Sequence, residues 1–256
     1  TVSAVIKHKS ADPQNVPGKY LAFSGIQRPV IFWNLTNTCN LGCTHCYSRS
    51  GPDATSGNEL STEEIFSCID DLATIKVPLI LLTGGEPLMR SDLYNIADYA
   101  EKNGIKTALS SNGTLITPKV AEKIRDSAIT YVGISLDGAS AKMHDRFRNS
   151  PGAFDRTIQA FSACKKAGVR VGVRFTVTRK NMHELNPLIS LAQDLGACRF
   201  CLYWLVPCGR GTDVYEKLQL SRKDVIEVLS LMYKRAKETD PSKMEFLTVD
   251  APQDCI

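Results

Sequence analysis

Along its 256 residues the chain repeats one pattern six times: a short apolar run with β-branched residues, then a longer stretch of helical periodicity. The expected strands are 30–36, 78–83, 105–110, 129–136, 169–178 and 198–206, and the expected helices are 61–75, 91–103, 117–127, 151–167, 187–195 and 221–238. Asn186-Pro187 supplies a helix start, and Gly104, Gly168 and Gly196 supply stops. Strands joined by helical crossovers run in one direction, so the order implies an α/β fold with a parallel sheet.

The strand faces refine this. In 169–178, Val169, Val171, Val173, Phe175 and Val177 alternate with Arg170, Gly172, Arg174, Thr176 and Thr178. In 130–137, Val132, Ile134 and Leu136 alternate with Tyr131, Gly133, Ser135 and Asp137. A flat sheet covered by helices on both sides needs apolar residues on both faces. A partial (βα)6 TIM-like barrel, with helices outside and a ligand-filled lumen, accounts for the polar face, and chemistry in such barrels gathers at the C-terminal strand ends. The expected division is an N-terminal extension (1–28), the barrel (29–240) and the start of a further region (241–256). The chain begins at Thr1 without methionine and its last ten residues, LTVDAPQDCI, carry no helix stop, so it reads as a piece of a longer protein.

A hydrophobic content of 43% suits a domain of this size with a substantial core. No apolar run reaches membrane-spanning length and no signal-peptide pattern is present, so neither a membrane nor secretion is expected. The net charge of +4 is dispersed, without the basic block that tracks nucleic acid.

The chemistry centres on Cys39, Cys43 and Cys46 in TCNLGCTHCYS, just after the first expected strand. Three thiolates can hold three corners of a [4Fe-4S] cubane and leave the fourth iron open. Joined by His45 or Cys68 they also satisfy tetrahedral zinc, and spacing alone leaves both readings open. Cys68 is the poorer fourth ligand: it sits on the stripe Ile65, Cys68, Ile69, Leu72 of a helix opened by a Ser61/Glu64 capping box. Free thiolates require a reducing compartment, which points to the cytoplasm.

Further motifs follow at strand ends. Thr83-Gly84-Gly85-Glu86-Pro87 places a carboxylate beside two glycines that admit close backbone approach. Ser110-Ser111-Asn112-Gly113-Thr114 and Ser135-Leu136-Asp137-Gly138 end the third and fourth strands, each by itself also a common turn sequence. His144-Asp145-Arg146-Phe147-Arg148 comes next, and by itself also reads as a solvated charge run.

Together, in this order, the cysteine motif and GGEP resemble the radical S-adenosylmethionine (SAM) superfamily. The resemblance implies that the open iron chelates SAM and that reduction splits SAM into methionine and a 5'-deoxyadenosyl radical. It further implies that Gly84, Gly85, Glu86 and Pro87 take the SAM amine, and that Ser111, Asn112, Ser135 and Asp137 contact SAM from strand ends. Arg148 would neighbour the SAM carboxylate, and Tyr47, after the third cysteine, joins the contact set. VPLILLTGGEPL, LSSNGTLI, YVGISLDG, HDRFRNSPGAF and GVRVGVRFTVT resemble the radical SAM enzymes of haem d1 (NirJ-type) and siroheme-dependent haem biosynthesis, over about Pro29 to Asp250. Those relatives are SPASM-type and carry an auxiliary iron-sulfur cluster in a C-terminal region not present here. Trp204 and Pro207-Cys208 depart from the haem d1 pattern, which has a histidine and a different dipeptide there.

Three functions are compatible. The first is side-chain removal or oxidation on an iron-tetrapyrrole, with Arg170, Arg174 and Arg210 as partners for its carboxylates and a low-potential donor such as ferredoxin or flavodoxin as reductant. The second is modification of a peptide by a maturase, and the third a non-catalytic iron-sulfur scaffold. An electron carrier gains nothing from an open iron and an amine site, which counts against the third. Among the other cysteines, Cys198 and Cys201 lie on opposite faces of one strand, Cys164 reads as core, and Cys208 and Cys255 have no assigned role.

Overall fold

In the computed structural model, residues 28–54 and 59–249 are described. The expected extension up to residue 27, and Cys255, lie outside them. Seven strands form one sheet in chain order: β1 (Ile31–Thr36), β2 (Leu79–Gly84), β3 (Lys106–Ser111), β4 (Ile129–Ser135), β5 (Val171–Val177), β6 (Arg199–Trp204) and β7 (Glu245–Val249). Every neighbouring pair is parallel. The helices are α1 (Thr62–Thr74), α2 (Leu93–Lys102), α3 (Pro118–Asp126), α4 (Ala141–Arg148), α5 (Ala153–Ala167), α6 (Leu185–Asp194), α7 (Arg210–Leu218) and α8 (Arg222–Glu238).

The outer sheet face packs on the helices. Val171, Val173, Phe175 and Val177 are buried, as their alternation requires, and Val132, Ile134, Phe200, Leu202 and Phe246 continue the layer. Each such side chain contributes roughly 1.5–3 kcal/mol on burial, so this layer is the main source of stability. Residues of β1, including Phe32 and Asn34, line the same cavity as Tyr203 and Trp204 of β6. The sheet therefore wraps round a lumen as a partial barrel; β1 and β7 are not paired among the described residues.

Local signals place most helices. At α1 the Ser61 hydroxyl accepts from Glu64 N–H (3.2 Å) and the Glu64 carboxylate accepts from Ser61 N–H (2.8 Å), the expected reciprocal cap. Gly168 ends α5 at φ 79°.

Three elements differ from expectation. A seventh strand, β7, extends the sheet past residue 240; its five residues are too few to show a period, and pairing with β6 defines it. The charged run from Ala141 is a helix capped by Ser140, whose hydroxyl accepts from Met143 N–H at 3.4 Å. Arg210 opens α7, where flanking glycines hide helical propensity. Among the described residues no helix is long and apolar enough to cross a membrane.

Candidate functional site

The cysteine loop joins β1 to α1 at the C-terminal end of the sheet. Cys39 and Cys43 are buried and Cys46 is half-buried, and all three share the wall of a cavity of about 590 Å³ with Gly84, Gly85, Ser111, Asn112, Ser135 and Arg148. Tyr47 stands at the same cavity, its hydroxyl donating to Asn34 Oδ1 at 2.7 Å.

The donor set fits a polynuclear cluster. All cysteines among the described residues are free thiols. Three thiolates of one loop are the donor type that an iron-sulfur cluster takes. Each sulfur has a polar neighbour: Leu41 N–H donates to Cys39 Sγ (3.4 Å), Arg148 Nη1 to Cys43 Sγ (3.6 Å), and Ser48 Oγ lies 3.4 Å from Cys46 Sγ. Such contacts stabilise thiolates and tune cluster potential. Burial pushes the Cys39 thiol up to about 11 and raises that of Cys43, so a metal binding there would have to displace a proton from each.

Arg210 shapes this loop. Its Nε donates to Cys43 O (2.7 Å), its Nη2 to Ser50 O (2.6 Å) and its backbone N–H to Cys46 O (2.8 Å). A Cβ at Gly209 would stand 2.4 Å from the carbonyl oxygens of both Cys46 and Tyr47, so only glycine admits the contact. The side chain expected to meet substrate is thus committed to the loop's backbone, and Arg210 does not line the cavity.

The Gly-Gly-Glu-Pro segment also turns inward. A Cβ at Gly85 would lie 2.1 Å from Thr38 O, and one at Gly84 2.4 Å from Thr36 O. The close partner of these glycines is therefore the end of β1, where Gly85 N–H donates to Thr36 O (2.6 Å) and Glu86 N–H to Thr38 O (2.9 Å). Glu86 is fully buried, its carboxylate accepting from Asn112 N–H (2.8 Å), Ser111 Oγ (2.9 Å) and Leu88 N–H (3.2 Å). Burial pushes this carboxyl up to about 7, against those three hydrogen bonds. Glu86 and Pro87 are off the cavity wall; in place of the expected side-chain contact, Glu86 ties the β2 and β3 tips together.

Asp137 behaves similarly. Fully buried, it accepts from Thr176 N–H (2.9 Å) and pairs with Arg148 Nη2 instead of lining the cavity. Burial alone would lower the Arg148 guanidinium, but the Asp137 carboxylate beside it holds it raised, hence charged. Arg148 Nε has no partner among the described residues, leaving an unsatisfied donor beside the cavity. His144, fully buried, accepts from Asp137 N–H through Nδ1 (3.1 Å), which requires the neutral ring; burial lowers its pKa to about 3. His45 stacks on Phe147 with ring centroids 4.2 Å apart, and burial keeps it neutral too.

Asn40 was not among the expected site residues. It accepts from Asn112 Nδ2 (2.8 Å) and donates to Thr114 Oγ1 (2.8 Å), locking the cysteine loop to the β3 tip beside Cys39. No spacing rule marks an asparagine within a cysteine motif. Phe32, Asn34 and Tyr203 also join the lining; the period-two alternation of β1 and β6 was the available signal.

The three substrate-facing arginines separate. Arg174 lines the cavity, its guanidinium carbon 4.4 Å from the centre of the Tyr203 ring, and among the described residues no carboxylate pairs with it. Arg170 is exposed just before β5 begins at Val171, at the opposite end of the barrel from the cavity. Its height along the chain takes it off the cavity wall. Below Arg174 the lumen is filled by protein, with Tyr131 against Gly172 and under Arg199, and Arg199 paired with Glu245 at 2.8 Å.

Comparison with known proteins agrees with this architecture. The family model described as the radical SAM superfamily matches residues 33–192. The chain is 40% identical to an "Fe-coproporphyrin III synthase" of Methanosarcina barkeri, over 93% of this chain and 60% of that protein. It is 40% identical to a "Pre-heme d1 synthase" of Dinoroseobacter shibae (73% of this chain, 46% of that protein) and 38% identical to the "Mycofactocin maturase MftC" of Mycolicibacterium smegmatis (76% and 49%). The chain thus spans 46–60% of these relatives' length. Among solved structures, Streptococcus suis SuiB bound to S-adenosylmethionine superposes with a TM-score of 0.72 at 17% identity, covering 88% of this chain and 51% of that one, which speaks to fold alone.

Proposed function

The chain belongs to the radical SAM superfamily, and from that premise we propose that it is the catalytic barrel of an enzyme that cleaves SAM to modify the side chains of an iron-tetrapyrrole. Cys39, Cys43 and Cys46 would hold a [4Fe-4S] cluster, which would supply the electron for reductive cleavage of SAM.

The protein's own contribution is placement. Arg148, held charged by Asp137, offers a cation for the SAM carboxylate, while Gly84, Gly85, Ser111, Asn112 and Ser135 present backbone and small polar groups along the same wall. Tyr47 stands beside them. Glu86 and Asp137 act one layer back, by holding strand tips and Arg148 in register. An auxiliary cluster, a low-potential electron donor and a cytoplasmic location belong to the same proposal.

The observation carrying the substrate class is Arg174: a cation on the cavity wall, without a carboxylate partner among the described residues and stacked on Tyr203. A planar macrocycle with several carboxylates satisfies both the charge and the ring face, and names of relatives such as Fe-coproporphyrin III synthase point to the same class. A peptide substrate is the second reading, favoured by the MftC similarity. Titrating the reconstituted protein with an iron-tetrapyrrole acid and its neutral ester decides between them. Tight binding of the acid, weak binding of the ester and a smaller difference in Arg174→Met support the macrocycle; equal or absent binding of both favours the peptide.

A further inference from the structure

A second depression, of about 320 Å³, lies beside the cysteine loop. Thr44, Phe147 and Leu218 contribute its floor, and Arg146, Lys180 and Lys217 its exposed cationic rim. No carboxylate lines it, and among the described residues none of the three cations is in an ion pair. Thr44 faces this depression, whereas its neighbours Cys43 and His45 line the large cavity. The loop is thus the wall between the two.

That wall is thin and braced. Thr44 N–H and Oγ1 both donate to Phe147 O at 3.3 Å, and the Phe147 ring stacks on His45. From the depression to a ligand sulfur the route is the peptide bond joining Thr44 to Cys43. The large cavity is the proposed place of SAM and substrate, so a donor protein docked on the far side of the loop would leave it open.

We propose that this depression is the docking surface for an acidic, low-potential electron-transfer protein, an inference that rests on the proposed SAM cleavage. One electron leaves the donor's reduced centre, which is thereby oxidised by one electron, and ends in the S–C5' bond of SAM, which breaks to methionine and the deoxyadenosyl radical; no proton moves. A positive rim round an apolar floor meets a carboxylate ring round an exposed redox centre, and such steering raises association rate more than affinity. A small anionic ligand is the competing occupant.

The test uses the anaerobically reconstituted protein and its Lys180→Glu/Lys217→Glu variant, with a reduced acidic [4Fe-4S] ferredoxin or dithionite as reductant. Ferredoxin-supported 5'-deoxyadenosine formation falls about tenfold or more in the variant and loses its salt dependence, while dithionite-supported formation is unchanged. Equal loss with both reductants overturns the proposal in favour of a ligand site, and no loss with ferredoxin overturns it outright. Titration of oxidised ferredoxin reads docking without turnover: affinity drops about tenfold in the variant, and unchanged affinity contradicts the proposal whether or not SAM is cleaved. Absence of 5'-deoxyadenosine from the wild type with dithionite counts against the proposed function instead, and the titration still decides the surface.

Discussion

Arg210 Nε donates to the carbonyl oxygen of Cys43 at 2.7 Å, so the first residue of α7 holds the backbone of the second cysteine. The same guanidinium reaches Ser50 O, and the two bonds fix the loop between its middle and its end. A lysine cannot span both acceptors, because it lacks the planar fork.

Arg210→Lys is therefore expected to leave an enclosed carbonyl unpaired, at about 1–3 kcal/mol. The reconstituted variant should lose iron to a chelator faster than wild type while its circular dichroism spectrum is unchanged. Wild-type iron retention would show that the loop holds its shape without the clamp.

Glu86 carries a pH signature. Its folded pKa, about 7, lies above the ordinary 4.5, so between these values the folded state binds more protons than the unfolded one. Its contribution to stability is present below about pH 4.5 and is lost as pH rises towards 7, on the order of 3 kcal/mol in all. Glu86→Gln removes that slope but sets an amide against the Asn112 or Leu88 N–H, so the variant is less stable throughout. Thermal melts from pH 4.5 to 7.5 check this; a slope equal to wild type assigns the titration to another group.

Asp137→Asn removes the charge that balances buried Arg148. Breaking such a pair costs about 3–5 kcal/mol, because the remaining charge stays buried and uncompensated. A clearly lowered melting temperature is expected, with weaker SAM binding in calorimetry at a temperature where the variant is folded. Unchanged SAM affinity in that variant would separate Arg148 from the cosubstrate.

Much of the fold was legible because each strand-helix unit carries its own signals: the Ser61 cap, the Gly168 stop and the Val171 to Val177 alternation are local properties. β7 was not, since five residues acquire their register from β6. Within the site, sequence order brought the cysteines, Gly84, Gly85, Ser111, Asn112, Ser135, Arg148 and Arg174 to one cavity. It did not distinguish a residue on the wall from one behind it. Glu86, Asp137 and Arg210 have charged heads that suit a ligand, and each spends that head on backbone, on Ser111 or on Arg148. Depth of this kind depends on how strand tips meet, which no spacing encodes.

The central claim is that Cys39, Cys43 and Cys46 hold a [4Fe-4S] cluster that splits SAM. The most direct measurement pairs iron and acid-labile sulfide content with 5'-deoxyadenosine formed from SAM under dithionite, in the wild type and in Cys43→Ala. The account predicts about four iron and four sulfide per chain with 5'-deoxyadenosine production in the wild type, and loss of the cluster signal and the product in the variant. Bound zinc without sulfide, or product formation that survives in Cys43→Ala, would contradict it.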